Sequence, residues 1–167
     1  ERAINEKTGA ILHVDPSNFE IQGFSGTPSL EELCELGARR GLPVIADLGS
    51  GALLDLSRYG LRRTTTIGDA FRAGAEVSCS SGDKLIGGPQ AGVICGKREL
   101  IERIRSNPYA RMFRVCKLTL AGLEETLLHY VNGDYERHLS LYRMLAQPLA
   151  EVEARALSFQ QRLSALG

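Results

Sequence analysis

Ser81-Gly82-Asp83-Lys84-Leu85-Ile86-Gly87-Gly88-Pro89-Gln90-Ala91-Gly92 sets one lysine among small and polar residues. Two glycines and a proline follow it, which excludes a helix interior. Ala75-Glu76-Val77-Ser78-Cys79 before it reads as a short strand, and Gly92-Val93-Ile94-Cys95 after it as another. The lysine is therefore expected on a turn at a strand end. Held rigidly in a cleft there, an amine is suited to condensing with a carbonyl. The other reading is a hairpin turn with a solvated lysine, and the residue pattern alone leaves both open.

Toward the N-terminus the pattern is strand, helix, strand. Gly9 to Val14 is mostly apolar, as in a buried parallel sheet, and Asp15-Pro16-Ser17-Asn18 ends it. Ser29-Leu30-Glu31-Glu32 is a capping box, and the helix it opens runs to about Arg40 with Leu30, Leu33, Cys34, Leu36 and Gly37 on its apolar face. Gly41 and Pro43 stop it. Pro43 to Asp47 is the next strand, followed by Leu48-Gly49-Ser50-Gly51. This order implies a right-handed parallel crossover, and ligands of such sheets bind at the carboxyl ends of the strands. On pattern alone Asp47 is equally a turn or capping aspartate. Arg58 to Arg63 reads as a loop, and Thr66 to Ala73 as a short helix stopped by Gly74.

Toward the C-terminus, Lys97 to Ile104 is an amphipathic helix with Leu100, Ile101 and Ile104 inward, broken by Asn107-Pro108. Arg111 and Arg114 follow. They would share a face if this segment is helical, a spacing that suits a phosphate between two guanidinium groups. A solvated or salt-bridged pair is the alternative. Lys117 to Val131 is a long helix with Leu118, Leu120, Ala121, Leu127 and Leu128 as apolar positions, ended by Asn132-Gly133-Asp134. His138 to Leu145 and Pro148 to Leu166 read as further helices without visible chemistry. His13, His129 and His138 read as structural residues.

The chain has 167 residues, 43% of them hydrophobic, which is enough for one modest core. Lysine plus arginine equals aspartate plus glutamate, 20 each, so no global field steers it toward nucleic acid. Any RNA-binding face is local or lies elsewhere. Cys34, Cys79, Cys95 and Cys116 are scattered, with no CxxC and no Cys/His cluster, so no metal site is expected. Buried free thiols in a reducing cytoplasm are the expectation. No apolar run is long enough to span a bilayer.

The twelve-residue lysine stretch resembles the pyridoxal-phosphate lysine motif of bacterial selenocysteine synthase, the L-seryl-tRNA(Sec) selenium transferase family. Further matches are Ser17-Asn18-Phe19, Gly23-Phe24, Asp47-Leu48-Gly49-Ser50-Gly51 and Lys117-Leu118-Thr119-Leu120, and the similarity runs from about Thr8 to about Leu149. A motif of this length with ordered flanking matches is far more specific than a lone GxGxxG. The chain departs from the family at Asp15, where a histidine is usual, and at Ser80, where an aromatic residue is common. It departs again at Cys116, where an aspartate commonly stands, and at Arg62-Arg63-Thr64-Thr65, in place of an acidic, proline-containing stretch.

The resemblance implies an α/β fold, part of a fold-type I pyridoxal-phosphate large domain. Its mostly parallel sheet with flanking helices is followed by C-terminal helices. Residues 1–131 would be the partial large domain and residues 132–167 the helical start of the C-terminal domain, the chain being a fragment or a truncated product. The cofactor implied is pyridoxal 5'-phosphate, held covalently by Lys84, with Asp47 on its pyridinium nitrogen and Ser81, Gly87 and Gly88 around it. Lys84 would also move the substrate's α-proton from a desolvated cleft, and Asp83 would orient neighbouring groups. The implied substrates are seryl-tRNA(Sec) and selenophosphate, joined by β-elimination and selenium addition, with Arg111 and Arg114 on the donor's phosphate. A cytoplasmic homo-oligomer in the full-length protein is implied, with no membrane and no DNA. The alternatives are a related pyridoxal-phosphate lyase on a small phosphorylated amino compound, and an inactive remnant.

Overall fold

The computed structural model describes residues 1–16, 23 and 26–166. The matches at Ser17-Asn18-Phe19 and at Phe24 lie outside the described residues. Four strands form one sheet in the order β1 (Ile11–Asp15), β2 (Val44–Leu48), β3 (Val77–Ser81) and β4 (Gly92–Gly96). β1, β2 and β3 run parallel, and β4 returns antiparallel to β3. The expected α/β architecture, a mostly parallel sheet with flanking helices, is what forms.

The parallel order follows from two crossovers, each built on local signals. α1 (Leu30–Arg40) opens on the expected capping box: Ser29 Oγ accepts from the Glu32 N–H, and Glu32 Oε2 accepts from the Ser29 N–H at 2.8 Å. It closes on Gly41 at φ 64, a left-handed cap that costs glycine little. α2 (Ile67–Arg72) opens on a second capping box, Thr66 with Asp69. That carboxyl is held well below the usual carboxylate range, first by the Thr66 N–H and then by Arg72. Between β2 and α2 a 3-10 turn, Leu56–Tyr59, occupies the start of the expected loop.

Both crossovers advance along the sheet in the same direction, so α1 and α2 cover the same face. Leu30, Cys34, Ile67 and Ala70 pack there on Val44, Ala46 and Leu48, with Ile86 closing the end. Ser78 and Ser80 point into this same face, and their buried hydroxyls have no hydrogen-bond partner among the described residues. The opposite face carries Leu12, Val14, Ile45, Asp47, Val77, Cys79, Ser81 and Ile94 by register. α3 (Arg98–Ser106) and α4 (Pro108–Met112) border it. A groove of 1110 Å³ runs between them, lined by Ile45, Val77, Ile94, Leu100, Tyr109 and Phe113 among others. Leu100 and Ile101 are half-buried as expected, whereas Ile104 is exposed on the groove's open side.

The C-terminal half is α5 (Lys117–Asn132), α6 (Tyr135–His138), α7 (Ser140–Leu145) and α8 (Leu149–Ser164). The five positions that give α5 its apolar reading, Leu118, Leu120, Ala121, Leu127 and Leu128, are all exposed. The face turned inward is Gly122, Leu123, Thr126 and Tyr130. Gly122 lies against Pro89, and Thr126 is buried beside Gly88. Apolar residues occur nearly all round α5, so periodicity does not choose its face; close approach and hydrogen bonding do.

Cys116 is exposed, contrary to the expected burial of all four thiols. It is the N-cap of α5, in extended backbone, and makes no capping hydrogen bond. Aspartate is among the strongest N-caps and also favours the positive end of the helix dipole. Cys116→Asp is expected to stabilise the protein by about 1 kcal/mol, read as a higher urea midpoint at unchanged slope. A lower or unmoved midpoint would show that the cap position is not limiting.

Candidate functional site

The carboxyl ends of β1, β2 and β3 lie along one edge of the sheet, and the loops that follow β2 and β3 are laid against each other there. After β3 the chain turns at Gly82, whose N–H donates to the Ala91 carbonyl at 2.8 Å and closes the base of a ten-residue loop. Inside it the Gly88 N–H donates to the Gly82 carbonyl and the Gly87 N–H to the Lys84 carbonyl. The Leu85 N–H, one residue past the lysine, donates to the Ser50 carbonyl at 3.0 Å. Ser50 is three residues past Asp47. This bond ties the turn that follows β2 and its Asp47 to the lysine's loop.

Gly51 makes the approach possible. Its φ of 69 is left-handed, and a Cβ there would sit 2.6 Å from the Ser81 carbonyl. Only glycine fits on both counts.

Asp47 is half-buried and pairs in register with Cys79, whose thiol is pushed up first by burial and then by the Asp47 charge. Ser81 lies on the same face two residues on, and its hydroxyl donates to Asp83 Oδ1. Lys84 is exposed at the tip of the loop, with no side-chain hydrogen bond or ion pair among the described residues. The desolvated cleft expected around this amine is not formed by the described residues.

Ser80 pairs with Leu48 and faces the α1–α2 core. Its departure from an aromatic residue therefore changes packing against Gly51, on the sheet face opposite Asp47. At Gly87 and Gly88 the open positions face Leu141 and Thr126, so in the described chain these glycines admit the C-terminal helices. Arg111 lies in the last turn of α4, and α4 ends at Met112, so Arg114 is outside it. The helical condition for a shared face is not met. Both arginines are exposed and make no ion pair among the described residues.

Two residues absent from the sequence reading of the site hold the loop from behind. Tyr130 donates to the Ile86 carbonyl at 2.8 Å and Tyr142 to the Leu85 carbonyl at 3.2 Å, with the two phenol oxygens 3.0 Å apart. Burial pushes both phenols up. They lie 44 and 57 residues from their acceptors, so no local pattern links them.

The donor set fits pyridoxal 5'-phosphate in kind. A primary amine without a partner among the described residues lies on the loop after β3, and a half-buried carboxylate suited to a ring nitrogen lies near the carboxyl end of β2, whose following turn is bonded to that loop.

The sequence profile of the L-seryl-tRNA selenium transferase family matches residues 1–166. The L-seryl-tRNA(Sec) selenium transferase of Alkaliphilus metalliredigens is 45% identical over 167 residues, covering 99% of this chain and 36% of its own length. That of Methylocella silvestris is 48% identical over 155 residues, covering 92% and 33%. That of Haemophilus influenzae is 44% identical over 162 residues, covering 96% and 35%. The chain thus spans about a third of the length of these relatives. Among solved structures, D-glucosaminate-6-phosphate ammonia-lyase superposes with a TM-score of 0.60 at 25% identity, over 79% of this chain and 32% of that one. With a profile matched almost end to end and identities well above 40%, the chain belongs to the L-seryl-tRNA selenium transferase family.

Proposed function

We propose that this chain supplies the cofactor-binding lysine loop of an enzyme that converts seryl-tRNA(Sec) to selenocysteinyl-tRNA(Sec) with selenophosphate. The observation that carries the reading is the Leu85–Ser50 hydrogen bond, which fixes the Lys84 loop to the turn that follows Asp47 and β2, at the carboxyl edge of the parallel strands. Pyridoxal 5'-phosphate, when bound, supplies an electron sink for charge developing at the substrate's Cα. Lys84 Nζ would hold the cofactor's aldehyde carbon at rest and, once the substrate's amino group has displaced it, would be free to take the proton from Cα. The Asp47 carboxylate keeps a proton on the ring nitrogen. The Ser81 hydroxyl orients Asp83, which lies beside the lysine. Gly87 and Gly88 keep the loop close to both cofactor and helices. Arg111 and Arg114, exposed and without acidic partners among the described residues, take the phosphate of the selenium donor.

In this reading residues 1–131 are the cofactor-binding portion and residues 132–167 begin the next domain, with Tyr142 reaching back across that boundary. The working enzyme is a cytoplasmic homo-oligomer. No described helix is long and apolar enough to cross a membrane. A second reading, a lyase on a small phosphorylated amino compound, has the ammonia-lyase likeness behind it. The selenium transferases, at 45% identity over nearly the whole chain, favour the first.

Asp47→Asn tests the site. The amide keeps the shape of the side chain and removes its charge, so folding is expected to be unchanged. Exchange of the seryl α-proton with solvent is expected to slow at least about 10-fold, equivalent to about 1.4 kcal/mol of barrier. Exchange at the wild-type rate would remove Asp47 from the mechanism. Dependence of turnover on the tRNA separates the transferase from the lyase.

A further inference from the structure

His129 and His138 read as ordinary helix residues in the sequence, and no metal site is expected there. The fold brings them together around Asp134. Gly133, at φ 75, caps α5 and turns the chain back, and its N–H and that of Asp134 both donate to the His129 carbonyl. α6 is one turn long, so Asp134 before it and His138 at its end face the same side. The two imidazole rings stack at 4.4 Å between centroids and 4° between planes. Each presents a nitrogen to a different oxygen of one carboxylate. His129 Nδ1 is 2.8 Å from Asp134 Oδ1, and His138 Nε2 is 3.6 Å from Asp134 Oδ2. One donor atom from each of the three residues falls within a 4.8 Å cluster.

A histidine–aspartate hydrogen bond alone would use one ring and one oxygen. A second ring is aimed at the remaining oxygen, so three ligand-type side chains meet at one carboxylate, and turning the half-exposed His138 ring out of the parallel stack brings both nitrogen lone pairs toward one point. We propose that His129, Asp134 and His138 bind a divalent transition-metal ion of the Zn²⁺ class through two imidazole nitrogens and one carboxylate. Bonds of 2.0–2.2 Å in a tetrahedron set donors about 3.3 Å apart. With one donor atom from each residue inside 4.8 Å, small side-chain rotations reach that spacing. The fourth position is open to water. His129 is largely buried, while Asp134 and His138 each keep 41% of their side-chain surface exposed, so an ion reaches the site from solvent. Glu125 supports the assignment. Its Oε1 lies 3.5 Å from His129 Nε2, the ring nitrogen turned away from Asp134. A carboxylate behind a ligating histidine fixes which nitrogen is free to bind the ion. The site is independent of the lysine loop's chemistry and stands whether or not the proposed transferase activity does.

The test is titration of metal-free protein with Zn²⁺ by calorimetry, in a Cys116→Ser background that removes the exposed thiol. One ion per chain is expected. His129→Ala and His138→Ala are each expected to weaken binding at least about 100-fold, and Glu125→Gln about 10-fold. Circular dichroism confirms that each variant is folded, and Asp134→Asn, which keeps the shape of the cap, is a further loss-of-binding variant. Absence of saturable Zn²⁺ binding overturns the proposal. So does binding that survives unchanged in both histidine variants, since the ion is then held by other side chains.

Discussion

Lys84→Ala is expected to abolish covalent capture of pyridoxal 5'-phosphate. Wild-type protein mixed with the cofactor and reduced with borohydride should carry the label on the peptide containing Lys84, and the variant should carry none. Turnover should fall by at least about 10²–10⁴-fold, the share that a positioned proton-transfer group supplies. The structure makes this a clean experiment. Lys84 is exposed and its side chain makes no hydrogen bond or ion pair among the described residues. Its removal should therefore change stability by no more than about 0.5 kcal/mol. A folded variant that is still labelled to the wild-type extent would show that another amine is used, and the reading of the loop would fail.

Tyr142→Ala is expected to cost about 3–5 kcal/mol, a large part of the stability of a domain this size. The ring is fully buried, packed edge-on to Tyr130 and Tyr135 at 5.7 and 5.0 Å, and grouped with Leu56 and Leu139. Truncation leaves a cavity and removes one of the two phenol hydroxyls that reach the Leu85 carbonyl at 3.2 Å. Tyr142→Phe keeps the packing and loses the hydroxyl, so about 0.5–1.5 kcal/mol is expected. Urea unfolding at constant slope gives both values. Hydrogen exchange at the Leu85 N–H, which bonds Ser50, gives a local readout. It should speed up in Tyr142→Phe by more than global destabilisation explains. Equal costs for the two variants would mean that the hydroxyl, not the ring, holds the helices in place.

What the sequence made legible is what local chemistry decides. Ser29, Glu32, Gly41 and Pro43 delimit α1 because capping and φ restriction act within a few residues, and the observed helix, Leu30–Arg40, matches. All four strands fall within two or three residues of their expected positions. The lysine loop was legible as a motif, but what fixes it was not. Tyr130 and Tyr142 act on Leu85 and Ile86 from distant positions, and nothing in their own neighbourhoods marks them out; Ser50 lies in the matched Asp47–Gly51 stretch, but nothing local pairs its carbonyl with Leu85. The same holds for the buried face of α5, where leucines occur all round the helix and Gly122, Thr126 and Tyr130 are chosen by what they touch. The histidine cluster depends on a reversal at Gly133 that stacks rings nine positions apart. Arg111 and Arg114 failed their helical condition because α4 stops at Met112.

The back support of the lysine loop has a consequence for the order of events during synthesis. The ribosome delivers Lys84 well before Tyr130 and Tyr142. Until α5 and α7 emerge and dock, the carbonyls of Leu85 and Ile86 have only water to bond. Contacts spanning 44 and 57 residues are costly to close and form late. The nascent loop therefore passes through an interval in which its amine is present but not positioned. If Lys84 takes the cofactor as proposed, loading is expected to follow the docking of the helices.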